Sequence, residues 1–434
     1  MFFLYLIFFI CFTVLAWKKF RLAAIAFVVL LPAYLLRFDV GPLPSTVLEI
    51  SFGAIFMVWL FKYAKKDWPV LKKTIGTYKI FFILVLLFLV ASVIGIFVSD
   101  MVVASLGQWR AYFLEPVILF CIFVAHSSVI PSVSEESLSA IDLFWGLSLS
   151  TLSVSVYCIF QEFTGWGIAT PEWTALATRR TTAFFSSPNA VGLYLGPVII
   201  LITAYLAKKF SNRVELAEKK YWQSPWFYLA LIEFLSLTAV IFSKSRGAWV
   251  AIAVSMLIFI FLIGYKKFAL SLSAVAIAAG LIILVIHPLN LDKSGQNRLK
   301  LWSYTETYLT ASPKNFVLGT GIRQFFRKIQ KPYYNDKEME RLIYPHNIFL
   351  NFWTETGLLG MLSFSGILGY GFYLANKIRK YDKITGAGLI CALLAIVIHG
   401  MVDVPYFKND LAMMFWIIVG LILMNHNKFT KPNN

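Results

Sequence analysis

Long apolar runs separated by short polar linkers make up most of the 434-residue chain. They fall at about residues 2–16, 22–36, 46–61, 80–98, 113–130, 139–160, 189–207, 226–242, 247–265, 268–287, 347–375, 385–401 and 411–424. Most approach the roughly 20 residues a helix needs to cross the hydrocarbon core of a bilayer. None shows the ten-residue alternation of a barrel strand. The pattern predicts an all-α membrane protein of about 12–13 transmembrane helices, the first two runs being short. One polar stretch, residues 288–345, is left as a single large loop. Three regions follow: N-terminal helices over 1–170, a region 171–410 that includes the loop, and a last helix with its tail over 411–434.

Composition agrees with this reading. Hydrophobic residues make up 59% of the chain and charged residues 14%, against about 25% charged in a soluble domain. A net charge of +17 would point to nucleic acid in a soluble protein. Here most basic residues sit in short linkers, where they fix orientation, so the expected partner is the lipid bilayer and not nucleic acid. Lys18, Lys19 and Arg21, then Lys62 to Lys79, Lys208 to Lys220, Lys266 with Lys267, and Lys377 to Lys383 are separated by even numbers of spans. All of these clusters therefore fit on the cytoplasmic side. Linkers 37–45, 99–112, 161–188, 243–246, 288–345 and 402–410 then face outward, and the C-terminus inward. The first apolar run has its basic residues after it, which argues against a cleavable signal peptide. Cys11, Cys121, Cys158 and Cys391 lie inside apolar runs without a CxxC pair, and read as packing residues.

The candidate chemistry gathers on the outward side. In Arg179-Arg180-Thr181-Thr182-Ala183-Phe184-Phe185-Ser186-Ser187-Pro188-Asn189, Ser187-Pro188 marks a helix start, with a hydroxyl cap and proline at the first helical position. That helix points its free N–H groups at the outer surface beside two arginines, a setting that suits an anion or a routine capped helix. Ser243-Lys244-Ser245-Arg246-Gly247-Ala248-Trp249 is a very short turn that holds Arg246 at the membrane surface. Such an arginine is costly unless it is paired, functional, or snorkels to headgroups. Within the large loop, ten basic residues, Arg298 and Arg323 among them, face five acidic ones, an excess that would attract an anionic substrate. Leu318-Gly319-Thr320-Gly321 reads as a turn, since a phosphate loop would continue with lysine and serine or threonine. A helix beginning near Pro345 would hold His346 in its first turn, where the dipole disfavours the imidazolium. Glu355, nine residues on and on the opposite face, reads as a buried anchor more than a catalytic acid. Asp403 and His399 are weaker candidates.

Four segments in order carry a resemblance. They are Arg180 with Phe185-x-x-Pro188-Asn189-x-x-Gly192; Ser245-Arg246-Gly247-Ala248-Trp249; Arg298 with Trp302; and His346-Asn347-x-x-Leu350-x-x-x-x-Glu355-x-Gly357-x-x-Gly360. Over about residues 180–405 the chain resembles the O-antigen ligase and O-antigen polymerase superfamily, while the first 170 residues match only as a set of spans. Ala183 departs from the pattern, which usually has glycine there, so a wider turn is expected. The resemblance implies a glycosyltransferase that moves a glycan from a polyprenyl-diphosphate donor to a glycan or lipid acceptor, without cofactor or metal, at the outer face of the cytoplasmic membrane. Arg246, Arg180 and Arg298 would hold the diphosphate, and His346 would orient or deprotonate the acceptor hydroxyl. Asn189, Asn347 and Glu355 complete the implied binding set. Surface polysaccharide or lipopolysaccharide synthesis is the implied setting, with ligase, polymerase and protein-glycosylating roles sharing these motifs. A lipid-linked glycan transporter would also want outer arginines and many spans, but the two repeated halves common in transporters are not found.

Overall fold

The computed structural model describes residues 2–40, 43–127, 137–211, 224–286, 293–334 and 340–430. Two short helices, α1 (Phe2–Lys18) and α2 (Phe20–Val29), lead into a 3-10 turn Leu31–Leu35 and a hairpin that pairs Arg37–Val40 with Leu43–Thr46. The helices α3 (Val47–Val58) and α4 (Ala64–Thr77) join through a π-turn, Trp59–Tyr63. Then come α5 (Lys79–Val98), α6 (Val102–Trp109) and α7 (Glu115–His126), the last two joined by a second π-turn, Arg110–Leu114. The middle of the chain forms α8 (Ala140–Thr164), α9 (Pro188–Ser211), α10 (Pro225–Ser243), α11 (Arg246–Ile263) and α12 (Lys266–Ile286). Next follow α13 (Lys293–Thr310) and α14 (Pro313–Leu318), and finally α15 (Ile348–Tyr381), α16 (Lys383–Gly400) and α17 (Asn409–Thr430). Ten helical rods among the described residues are long and apolar enough to cross a bilayer, and α1 and α2 are shorter apolar helices. The chain is an all-α, multi-pass membrane protein.

Several boundaries differ from the apolar pattern, each for a physical reason. The run at 22–36 breaks at Val29 because Pro32 enters a 3-10 turn. The run at 46–61 starts on a Thr46–Glu49 capping box and continues as helix to Thr77. Its lysines do not end it, because long side chains reach back to polar groups, as Lys62 Nζ does to the Trp17 carbonyl at 2.6 Å. The largest correction concerns residues 288–345, which are not one loop. The segment holds α13 and α14, and α13 buries Leu301, Thr305 and Leu309 at helical spacing beneath a polar exterior. Residues 288–292 and 335–339 of it lie outside the described residues.

Linkers of like expected side meet each other. Arg21 pairs with Asp142, Lys208 with Asp382, and Tyr78 with His426 and Asn427 at the lysine-rich end. At the other end Trp302 bonds the Pro345 carbonyl, Lys328 the Val98 carbonyl, and Asn189 bonds Asp403. Arg213, Lys219 and Lys220 of the linker 208–224 lie outside the described residues.

Two devices position the second end. Helix α15 is broken at Gly357, whose backbone (φ 71°, ψ −178°) is far from helical. The freed Thr354 carbonyl accepts from the Thr320 amide at 2.7 Å and the Thr320 hydroxyl at 2.9 Å. Non-helical backbone at membrane depth persists only where protein re-satisfies it in this way. A Cβ on Gly357 would meet the Val317 carbonyl at 2.4 Å, and one on Gly319 the Trp353 and Thr354 carbonyls at 2.4 Å. The glycine-rich turn 318–321, read from the sequence as a turn, is thus a splint on the broken helix. Elsewhere small residues let helices touch. A Cβ on Gly192 of α9 would stand 2.2 Å from that of Ala248 of α11, the close approach that small residues provide in membranes.

Candidate active site

The Gly192–Ala248 contact lies within about a turn of two helix starts, and it brings them together. Helix α9 begins at Pro188, as the serine–proline pair requires, and α11 begins at Arg246. Asn189 Oδ1 accepts from the Ser245 hydroxyl at 3.2 Å, locking the two starts side by side. Between α10 and α11 the chain turns on Lys244 alone, in the left-handed region at φ 51°. The Trp249 indole donates back to the Val240 carbonyl at 3.1 Å, which closes the turn. Arg180 crosses this turn: its guanidinium donates to the carbonyls of Ser243 and Lys244, both at 3.3 Å. These are carbonyls at a helix C-terminus, which lack helical partners.

The segment that carries Arg180 is held by one side chain. Gln161 Oε1 accepts from the amides of Thr182 and Ala183, and its Nε2 donates to the Ala183 carbonyl. Ala183 itself adopts φ 49°. Alanine takes the left-handed backbone that glycine would take more cheaply.

His346 is not in the first turn of α15, contrary to the expectation from Pro345. Asn347 caps that helix, its Oδ1 accepting from the amides of Phe349 and Leu350, and the helix starts at Ile348. The cap spends the helix N-terminus on a side chain, so the dipole is not what governs His346. The histidine sits before the cap at φ 51°, and its Nδ1 faces Asp403 Oδ1 at 3.3 Å. Asp403 also accepts from Asn189 Nδ2 at 3.2 Å and from the Val404 amide at 2.9 Å. Burial alone would push this carboxyl up. His346, His399 and the Val404 amide more than offset it and hold Asp403 well below the usual carboxylate range.

A cavity of about 660 Å³ opens beside Asp403. Arg180, Arg246, Arg298, Asn189 and His399 line it. Arg298 comes from α13, which leans on the histidine segment through the 2.9 Å bond from Trp302 to the Pro345 carbonyl. Burial, and then the nearness of Arg246 and Arg298, lower the pKa of Arg180. Three guanidinium groups crowded at one cavity repel one another and favour an anion with several oxygens.

Of the residues the sequence singled out, Arg180, Arg246, Arg298 and Asn189 line this cavity, and His346 is linked to it through Asp403. Asn347 acts as helix cap and donates to the Met401 carbonyl. Glu355 does not line the cavity. It is buried, accepts from Gln108 Nε2 at 2.8 Å and from the Arg323 amide. Asp403 and His399, ranked low on sequence, occupy the centre. Their only local signal is a titratable pair near the start of the linker 402–410, because Asp403 lies 57 residues from the histidine it holds. Among the described residues no three His, Cys, Asp or Glu side chains converge as metal ligands.

Fold and site together define a multi-pass membrane protein with an arginine-lined cavity and, beside it, a histidine bonded to an aspartate. Residues 231–365 match the family model described as O-Antigen ligase, which supports the likeness to the O-antigen ligase superfamily. The match contains Arg246, Arg298, His346, Asn347 and Glu355, whereas Arg180, Asn189 and Asp403 lie on either side of it. That family implies glycosyltransferase-like ligase or polymerase activity on lipid-linked glycans in a membrane. No curated protein matches the sequence.

Proposed function

We propose that this protein transfers a glycan from a polyprenyl-diphosphate donor to an acceptor hydroxyl at the outer face of the cytoplasmic membrane, as a ligase in surface polysaccharide or lipopolysaccharide synthesis. The observation that carries this reading is the His346–Asp403 pair standing beside three guanidinium groups. With its Nδ1–H donated to Asp403, His346 keeps the lone pair on Nε2 for a substrate proton. The acceptor O–H gives that proton to Nε2 while its oxygen attacks the anomeric carbon. The bond from that carbon to the diphosphate oxygen breaks, and its electron pair passes to the diphosphate. Arg246, Arg298 and Arg180 meet the growing charge in a half-buried site, where such donors count most. Asp403 steadies the imidazolium that results, as the carboxylate of a catalytic triad does. One displacement of this kind inverts the anomeric configuration and needs neither nucleotide sugar nor metal. A polymerase that extends a lipid-linked chain would use the same step on another acceptor.

The test uses purified protein with undecaprenyl-diphosphate-linked glycan, and measures donor binding beside transfer. His346→Ala should bind donor normally and lose about 10²–10⁴-fold in turnover. Arg246→Lys keeps the charge but loses the planar fork, and should weaken both. Near-normal transfer by either variant would overturn the assignment.

A further inference from the structure

The lysine-rich end of the molecule carries a helix that neither the arginine cavity nor His346 uses. We infer that α4 is a binding site for anionic phospholipid, its lysines meeting the headgroup phosphates and its exposed Trp68 and Ile75 the acyl chains. The inference stands apart from the glycan reading.

Length carries α4 to the bilayer surface. Helices α3 and α4 and the π-turn between them form one rod, Val47–Thr77, of 31 residues. At 1.5 Å per residue such a rod is about 46 Å long, against roughly 30 Å of hydrocarbon. Its apolar part is α3, so the excess falls on α4. That helix has three faces. Asp67, Leu71 and Thr74, spaced by four and three, are buried against the protein. Lys65, Lys66, Lys72 and Lys73 are exposed on the opposite side, as two pairs two turns or about 10 Å apart. Trp68 and Ile75, also two turns apart, are exposed on the flank between.

The charge on this surface is of one sign because the helix turns its single acidic residue inward. Asp67 Oδ2 accepts from the Trp59 indole at 3.0 Å and lies 2.8 Å from Nδ1 of His126, the last residue of α7. Both members of that pair are buried. The rings of Phe20 and Tyr63 meet the histidine with centroids at 4.6 and 4.8 Å. One knot thus ties α2, the π-turn, α4 and α7, and it fixes which way α4 faces. Lys62 is also engaged within the protein, at the Trp17 carbonyl. The ammonium groups of Lys65, Lys66, Lys72 and Lys73 make no ion pair or hydrogen bond among the described residues. Four such groups without a carboxylate among them attract anions, and each lysine near an anionic leaflet strengthens binding about fivefold. A basic stripe beside an apolar one is the pattern of a helix lying in the interface. Trp68 and Ile75 therefore favour a lipid, which joins an apolar part to its charge, over a soluble acidic protein.

The test reconstitutes full-length protein in nanodiscs of equal dioleoyl phosphatidylcholine and dioleoyl phosphatidylglycerol. The protein is then released into neutral detergent, and the lipids it retains are counted by native mass spectrometry. Wild type should retain phosphatidylglycerol in preference to phosphatidylcholine. Lys65→Gln, Lys66→Gln, Lys72→Gln and Lys73→Gln combined should cut that preference at least about tenfold, while arginine at the same four positions should keep it. Lys266→Gln, Lys267→Gln, Lys380→Gln and Lys383→Gln, which remove equal charge from other linkers of the same end, should leave most of it. Unchanged melting in phosphatidylcholine nanodiscs shows that a variant folds; if the fourfold glutamine variant does not, Lys72→Gln with Lys73→Gln should still lower the preference several-fold. Millimolar glycerol 3-phosphate, a headgroup without tails, should not displace the lipid. Equal retention of both lipids by wild type, an unchanged preference in the folded glutamine variant, an equal loss in the second set, or displacement by glycerol 3-phosphate would overturn the inference.

Discussion

Asp403 carries two loads on two oxygens: Oδ1 takes His346 and the Val404 amide, and Oδ2 takes Asn189. Asn189 is in turn bonded to Ser245, next to Arg246. One carboxylate therefore sets the histidine and the arginine turn in a common frame. Asp403→Asn should cut transfer by about 10²-fold while donor binding holds, which the binding-beside-transfer assay reads directly. The carboxyl is depressed in the folded protein, so what it adds to stability is fully present above the unfolded pKa of about 4. It is lost only as pH falls below that value. Asp403→Asn should thus melt below wild type at pH 5, and the difference should shrink as pH falls well below 4; equal melting of the two proteins at pH 5 would contradict the depressed carboxyl. At Ala183 the strain has a direction. Ala183→Gly should raise stability by up to about 1 kcal/mol, seen in thermal unfolding, because glycine tolerates φ 49°.

Between helices, the tolerance is narrower. Gly192→Val would force α9 and α11 apart at a point where even a Cβ finds Ala248 at 2.2 Å. It should abolish transfer in protein that still inserts, since the Asn189–Ser245 bond sits one turn beyond; undiminished transfer would show that this contact does not position the site. What the sequence disclosed at this scale follows from range. The α9 start at Pro188 was legible because serine and proline act within one turn. The start of α15 was misplaced because Pro345 and Asn347 both signal a helix start, and only the Asn347 bonds to Phe349 and Leu350 decide between them. Helices α13 and α14 were hidden by their polar exteriors, and α13 buries only three side chains among many charged ones. Arg246, Arg298 and His346 could be chosen singly by residue type and setting. That they meet, and meet through Asp403, depends on packing between segments far apart in sequence.

For the whole molecule, the segregation of lysine linkers from the arginine–histidine end is internal to the fold, and the face it presents outward is testable. In a cysteine-free background, an impermeant thiol reagent should label a cysteine at Lys331 in intact cells (spheroplasts if an outer membrane is present) but not one at Ser211; the reverse would invert the topology. Burial, and then the nearness of Arg246 and Arg298, disfavour the charged form of Arg180 in the unliganded cavity. Inorganic diphosphate should raise the melting temperature by mass action, and Arg246→Gln should gain less from it than wild type. Finally, the interruption at Gly357 makes α15 two levers joined at a fulcrum, not a single rod. A change of tilt in its lysine-end half, which buries Phe364, Ile367 and Leu368 in the core, should therefore bend at the Thr320 splint before it reaches His346.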